Sequence, residues 1–195
     1  MPELVIGSDG LARCAWGAST PDYVVYHDTE WGWPVRTDDG LYERMTLEAF
    51  QSGLSWLTIL RKRDSFRAAF AGFDIDRVAQ FGDKDIERLL GDAGIVRNRA
   101  KIEAAIANAR AAADLPDGLA ALLWSYAPTG RRKGPKSYAE LATITPESTA
   151  MAKDLKRRGF RFVGPTTAYA LMQATGMVND HLVGCYARHL AAAPA

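Results

Sequence analysis

Apolar residues recur at helical spacing along most of this chain, and no segment alternates as a half-buried strand would. Leu41, Tyr42, Met45 and Ala49 form one stripe, with N-cap candidates at Thr37-Asp38-Asp39 before it. After a break at Gly53-Leu54-Ser55-Trp56, a second helix from Ile59 to Phe73 carries Phe66, Ala69, Phe70 and Phe73 inward. Asp83 is a cap for a helix that buries Ile86, Leu89 and Leu90, and Gly94-Ile95 turns the chain toward Ile102, Ile106 and Ala109. Leu119 to Ala127 reads as a short helix stopped by Pro128, and Ser137 and Glu140 as a capping-box pair. Thr145-Pro146 opens a helix through Met151, Ala152 and Leu155. The pattern predicts an all-α protein of about eight or nine helices. One domain is expected, with residues 1–10 as a tail, 11–190 as the globular core and 191–195 as a frayed end.

The stretch from Arg157 to Cys185 organises the rest. Gly159 stops a helix whose last turn is basic, and Phe160 to Val163 is too short to be helical. Gly164-Pro165 restarts a helix, in which Ala168, Leu171, Met172 and Thr175 recur up to Gly176. A helix beginning at Gly164-Pro165-Thr166-Thr167 presents backbone N–H groups that can hold a phosphate. Lys153, Lys156, Arg157, Arg158 and Arg161 surround it, with Asp154 opposed. Two readings stand side by side: an ordinary helical corner with a solvated basic face, and a DNA contact.

Charge sharpens this picture. Residues 1–50 hold three cations and nine acids, so the remaining 145 residues carry +7 of a net charge of +1. Further clusters lie at Arg61-Lys62-Arg63, at Arg97, Arg99 and Lys101, and at Arg131, Arg132, Lys133 and Lys136. They suggest a polyanion partner, although dispersed arginines also solubilise ordinary helices. A chain of 195 residues, 48% hydrophobic, is long enough to bury about 70% of its unfolded surface without disulfides. MPELVIGSDG has acids and no long apolar run, so it is not read as a signal peptide, and no stretch approaches a membrane span. A soluble cytoplasmic protein is expected.

Two cysteines and two of the three histidines form short pairs, Cys14 with His27 and His181 with Cys185, with 153 residues between the pairs. His-x3-Cys on a helical turn would place both ligands on one side. Two thiolates and two imidazoles would complete a closed tetrahedral zinc shell, which is a structural site. Free buried cysteines with unrelated histidines, or a Cys14–Cys185 disulfide, are the alternatives, the latter disfavoured in a reducing compartment. His189 has no partner in the pattern and reads as a surface residue.

Tyr23, Tyr26, Trp31, Glu48 and Trp56 gather aromatic rings and one acid in the first third of the chain. Such rings ordinarily fill a core. Yet Glu48 sits at the edge of an apolar stripe, where a carboxylate needs a partner or a wet cavity. Ring faces and a carboxylate together suit a flat cationic ligand.

At these residues the chain resembles a known family. RCAWG, YHDTEWG, LEAFQSGLSWLTILRKR, DAGIVRNRAKI, LKRRGFRFVG and VNDHLVGC are closely similar, in order, to motifs of the bacterial DNA-3-methyladenine glycosylase I family, from Arg13 to about Cys185. A ten-residue N-terminal extension and the Arg-rich loop at 128–136 depart from it without touching a motif residue.

The resemblance implies a helix-hairpin-helix glycosylase fold with the hairpin at Phe160 to Thr167, and DNA contacts from Arg161, Gly164, Thr166 and Thr167. It implies one structural Zn2+ joining the N- and C-terminal segments through Cys14, His27, His181 and Cys185. It implies Glu48 as the catalytic carboxylate bonded to the excised base, with Tyr23, Tyr26 and Trp56 stacking on or lining that base; Trp31, from the aromatic group above, is taken as a further substrate-binding residue. Gly53 and Leu54 match the turn that fills the gap in the duplex. Asn179, in Val178-Asn179-Asp180-His181, holds the position where the wider superfamily keeps a catalytic Asp. The implied activity is monofunctional: flipping and hydrolytic release of 3-methyladenine from double-stranded alkylated DNA by a monomer, leaving an abasic site without strand cleavage. The rival from another class is a zinc-stabilised DNA-binding module without catalysis, which would need the basic hairpin but no pocket.

Overall fold

The computed structural model describes residues 3–130 and 133–191. Arg131 and Arg132 of the basic loop, and the end expected to fray at 192–195, lie outside the described residues. Ten α-helices are present among the described residues. The number exceeds the sequence expectation because Ile75–Ala79 (α4) and Ala187–Ala191 (α10), at five residues each, are too short to show a period.

The central element is α2 (Asp38–Gln51), capped by the Thr37 hydroxyl, which accepts from Gly40 N–H at 3.3 Å. Eight of its residues are buried, among them Leu41, Tyr42, Met45 and Phe50. Around it pack α3 (Trp56–Ala69), α6 (Arg99–Ala113), α7 (Gly118–Trp124) and α9 (Pro165–Ala174). Ser55 caps α3, so that helix begins three residues before Ile59. It ends at Ala69, before Phe73, and the chain then passes through left-handed Ala71 (φ 54°), Gly72 (φ 74°) and Phe73 (φ 60°). The rings of Phe66, Phe70 and Phe73 then stack through the core, with Phe50 edge-on to Phe66 and Phe70, at centroid distances of 4.8–6.2 Å. Aromatic pairs at such spacing add to simple area burial. Against α6 lie α4 and α5 (Asp83–Gly91). Gly82, not Asp83, is the N-cap of α5, and Asp85 accepts from the Gly82 N–H.

Thr145 and Ser148 form a reciprocal capping box at the start of α8 (Pro146–Arg157). Gly159, at φ 92°, ends that run, and the chain turns through Phe160–Gly164 into α9, which packs on α8. The other expected box does not form. Residues Tyr138–Glu140 make a single 3-10 turn, and Glu140 reaches back past Ser137 to the Lys136 N–H at 2.7 Å.

The N-terminal stretch is not a tail and the protein is not purely helical. Leu4–Ile6 (β1) pairs antiparallel with Ala12–Cys14 (β2), in register Leu4 with Cys14. Three-residue strands are too short for alternation to register in the sequence. The hairpin is tied in further: Glu3 accepts from the Tyr138 N–H at 2.8 Å, and Arg13, 5% exposed, is held between Asp9 and Asp28. Cys14, Leu182, Cys185 and Ala187 make a small second core where the chain ends meet. Removing residues 1–10 should therefore cost about 1–3 kcal/mol, the scale of leaving buried polar groups unpaired. A truncated chain that melts at the full-length temperature would show the hairpin to be dispensable.

Candidate functional site

Glu48 lies on the buried face of α2 and is only 7% exposed. Beyond it α1 (Pro21–Thr29), capped by the Thr20 hydroxyl, supplies Tyr23 and Tyr26. Trp31 follows α1, and Trp56 opens α3. These five residues, which the sequence grouped only by proximity, converge on one cavity of about 320 Å3. Its rings are fixed by edge and tilted contacts: Tyr26 lies 5.3 Å from Trp56, and Trp16, in a 3-10 turn at Ala15–Ala18, lies 5.0 Å from Trp31. The Trp56 indole N–H is buried without a partner among the described residues. The Glu48 carboxyl likewise has no hydrogen bond or ion pair among them. Burial pushes its pKa up to about 8, and only the charge of Arg44, one turn earlier, opposes that. Arg44 itself is drawn away by Glu30, which it meets at 2.6 Å and which Arg63 also binds. The result is a slot lined mainly by aromatic rings, with a buried acid in its wall.

This cavity opens beside a second, of about 270 Å3, which shares Glu48, Gln51 and Ala170 with it. The second is walled by Gly53 and Leu54 after α2 and by Thr166 and Thr167 at the start of α9. Gly53 takes φ 82°, a left-handed turn that glycine adopts freely, and it leaves Leu54 projecting at 42% exposure. Gly164 is the N-cap of α9, so the N–H groups of Thr166 and Thr167 fall in a first turn that no preceding helical carbonyl can satisfy. Arg161, Gly164 and Thr166 are exposed beside them.

The basic clusters divide when seen in three dimensions. Arg61 pairs with Asp22, Arg63 with Glu30, Arg99 with Glu87, and Lys101 is buried. Arg157 and Arg158 both bind Asp154. Lys153, Lys156 and Arg161 face solvent around the turn. Several of the clustered arginines are thus taken up in ion pairs with nearby acids, while Arg97, Lys133 and Lys136, like Lys153, Lys156 and Arg161 around the turn before α9, are exposed.

Cys14, His27, His181 and Cys185 come together, all buried, with ligand atoms within 4.8 Å of one another. His181 Nδ1 lies 3.2 Å from His27 Nε2, and Cys185 Sγ lies 3.4 Å from His27 Nε2 and 3.7 Å from His181 Nδ1. There is no disulfide. The expectation that His181 and Cys185 share a helical turn fails. They lie in a non-helical segment between α9 and α10, bent at Gly184 with φ 95° and braced by Arg188, which donates to the His181 and Asn179 carbonyls. Outer partners orient every imidazole: His27 Nδ1 meets Asp28 at 2.8 Å, and His181 Nε2 meets the Trp31 carbonyl at 2.9 Å. The Leu182 N–H donates to Cys14 Sγ. Gly17 packs so closely on His27 that a Cβ there would lie 2.4 Å from its ring. Interaction with Cys14, His181 and His27 pushes the Cys185 thiol well down from its ordinary range, while Cys185 and burial push Cys14 up. The four residues can hold a metal ion in a closed shell.

A helical scaffold with an aromatic slot, a buried acid and an adjoining groove of helix-end N–H groups is the kind of site that can receive one planar ring from a larger anionic molecule. The methyladenine glycosylase family profile matches residues 16–189, and the chain belongs to that family. It is 44% identical over 179 residues to DNA-3-methyladenine glycosylase 1 of Escherichia coli K12, covering 90% of this chain and 96% of that one. It is 38% identical over 179 residues to DNA-3-methyladenine glycosylase of Haemophilus influenzae, at 89% and 96% coverage. A crystal structure of 3-methyladenine DNA glycosylase I superposes with TM-score 0.85 at 45% identity, over 89% of this chain and 98% of that one. A variant of such an enzyme in complex with 3-methyladenine, 34% identical, also superposes at 0.85, over 90% and 97%.

Four lining residues were not singled out in the sequence. Gln51 follows Glu48 by three residues and Ala170 and Gln173 follow Thr166 by four and seven, so helical spacing alone could have found them. Trp16 carried no such signal, because it reaches the slot through the fold of the chain end. Asn179 does not enter the slot's lining; its side-chain N–H donates to the Arg188 carbonyl at 2.9 Å. His189 is exposed, as read.

The raised pKa of Glu48 has a consequence for folding. Its folded form keeps the proton up to about pH 8, whereas the unfolded chain loses it near 4.5. Stability linked to this group is present below pH 4.5 and is lost as pH rises through 8. Glu48→Gln, which carries no such proton, should melt like the wild type near pH 4.5 and several degrees higher at pH 8.5. A melting gap that does not widen across that interval would contradict the buried, unpaired carboxyl.

Proposed function

We propose that this protein excises 3-methyladenine from alkylated DNA as a monofunctional N-glycosylase of its family. The observation that supports it most directly is the unpaired Glu48 carboxyl at the end of the aromatic slot, opening on the groove beside Leu54 and Thr166. A base must leave the duplex stack to reach such a slot. Tyr23, Tyr26, Trp31 and Trp56 surround the flipped ring, and stacking on such a platform contributes about 1–3 kcal/mol. In DNA, 3-methyladenine carries a positive charge, which the ring faces and Glu48 attract. Bringing that cation beside Glu48 draws the acid to its ionised form. The bond from the base to C1′ then breaks, its electron pair neutralises the ring, and water adds to C1′ and sheds a proton. Because the base already leaves readily, Asn179 in place of an acid is no handicap.

The turn between α8 and α9 we read as the hairpin of a helix-hairpin-helix motif, with Arg161, Gly164, Thr166 and Thr167 on the phosphates of one strand. Gly53 and Leu54 fill the gap that the flipped nucleotide leaves. We assign the four soft ligands to one structural zinc ion. The separations of 3.2–3.7 Å among His27, His181 and Cys185 are of the size of the edges of a tetrahedron with Zn–N of about 2.0–2.1 Å and Zn–S of about 2.3 Å, and Cys14 lies within 4.8 Å of them. Such an ion supplies cross-linking of the chain ends and no reacting site. The DNA-binding-only alternative leaves the slot and its acid without a role.

Glu48→Gln should lower single-turnover release of 3-methyladenine from methylated duplex DNA by roughly 10- to 100-fold, the value of a hydrogen bond to a charged group. Uracil and hypoxanthine, which are neutral, should be poor substrates of the wild type. Wild-type rates from the well-folded variant, or efficient uracil release, would defeat the assignment. Separately, Cys14→Ala or His181→Ala should release one equivalent of zinc and lower the melting temperature. Purified protein that holds no zinc, with Cys14→Ala melting normally, would remove the metal.

A further inference from the structure

Two buried polar side chains on α6 have no part in the slot, the groove or the metal centre, yet each ends on a loop beside the groove. Lys101, 8% exposed, donates from Nζ to the Phe50 carbonyl at 2.9 Å and the Ser52 carbonyl at 2.5 Å. Asn108, 1% exposed, donates to the Arg161 carbonyl at 3.0 Å and accepts from the Arg161 N–H at 2.7 Å. They are seven residues apart on the same face of one helix, about 10 Å along its axis.

The placing of Lys101 is unusual for its own helix. It lies in the first turn of α6, where the Asn98 side chain accepts from its N–H and where a cation opposes the helix dipole. Its charge suits the other end of a different helix: the last carbonyls of α2, immediately before Gly53-Leu54. Asn108 does for Arg161 what a neighbouring strand would, satisfying both of its main-chain groups in a turn that has no strand partner. The next residue, Phe162, is held at φ 57°, a conformation that a phenylalanine keeps only when its surroundings impose it.

We propose that α6 is a brace for DNA distortion: Lys101 fixes the turn that carries Leu54, Asn108 fixes the hairpin turn at Arg161, and the rigid helix between them sets the spacing of the two loops. This rests on the reading of Leu54 as the residue that fills the duplex gap. Lys101 and Asn108 are then positioning residues that act on duplex DNA and not on the released base. Neither residue lines the slot that the free base enters.

Lys101→Met keeps the stem and removes the ammonium; Asn108→Leu keeps the volume and removes both bonds. Each should slow single-turnover release from methylated duplex by about tenfold, a typical coupling for contacting groups. Binding of free 3-methyladenine, followed by tryptophan fluorescence, should stay within about twofold of wild type. In a double-mutant cycle, Lys101→Met should add little to the loss caused by Leu54→Ala. Loss of free-base binding in parallel with excision, or additive losses in the cycle, would overturn the brace. If Leu54→Ala alone excises at the wild-type rate, the gap-filling reading fails, and the brace falls with it. Should Lys101→Met not fold, Lys101→Arg, whose wider head cannot sit between the same two carbonyls, takes its place in the cycle, with the same outcomes deciding.

Discussion

The arrangement turns on one buried carboxyl group, Glu48, which has no hydrogen-bond or ion-pair partner among the described residues. Burying Glu48 without a donor is unfavourable, and the protein meets that cost by protonating it. The surrounding structure keeps it that way. Glu30 takes the nearest cation, Arg44, and Arg63 completes the pair, so the charge that could quench Glu48 is engaged elsewhere. The rigid packing of α2 against α3, α6, α7 and α9 prevents the acid from turning out to solvent. On the reading proposed above, a site poised this way would respond to a cationic ring and gain little from a neutral one.

The metal-ligand cluster bears on the same slot. His27 is the residue after Tyr26, and His181 is bonded to the Trp31 carbonyl. Trp16 lies two residues beyond Cys14 and 5.3 Å from the His27 ring. Three of the slot's rings are therefore set by residues that converge from opposite ends of the chain. A metal ion held by the four residues would have the entropic logic of any cross-link: it would restrict the unfolded chain more than the folded one. The β1–β2 hairpin, with Arg13 between Asp9 and Asp28, adds an outer layer to the same junction.

Charge on the surface follows a similar economy. Arginines that form clusters along the sequence are mostly consumed by nearby acids, and Lys101 is turned inward to hold main-chain carbonyls. The exposed cations that remain around the α8–α9 turn stand beside the free N–H groups of α9. A polyanion would meet both together, and the loop carrying Leu54 lies across the groove from them.

Much was legible in the sequence because it depends on local rules. Thr37 and Thr145 cap helices through their own hydroxyls, Gly159 stops α8, and Pro165 starts α9; these are decided within a few residues. The pairing of soft ligands and the motif order pointed to the family, and the edge position of Glu48 marked a carboxyl in need of an explanation. Where the sequence misled, distance was the reason. The three-residue strands and the five-residue helices are stabilised by what they pack on, not by any period of their own. Ser137 and Glu140 have the spacing of a cap, but the Lys136 N–H is the donor within reach. His181 and Cys185 converge because Gly184 and Arg188 bend the chain, not because a helix aligns them. Whether a cation faces solvent, an acid or a carbonyl is settled by residues tens of positions away, as Lys101 shows at Phe50. Helices and caps are written in neighbouring residues; the burial of Glu48 and the pairing of charge exist only once distant segments have met.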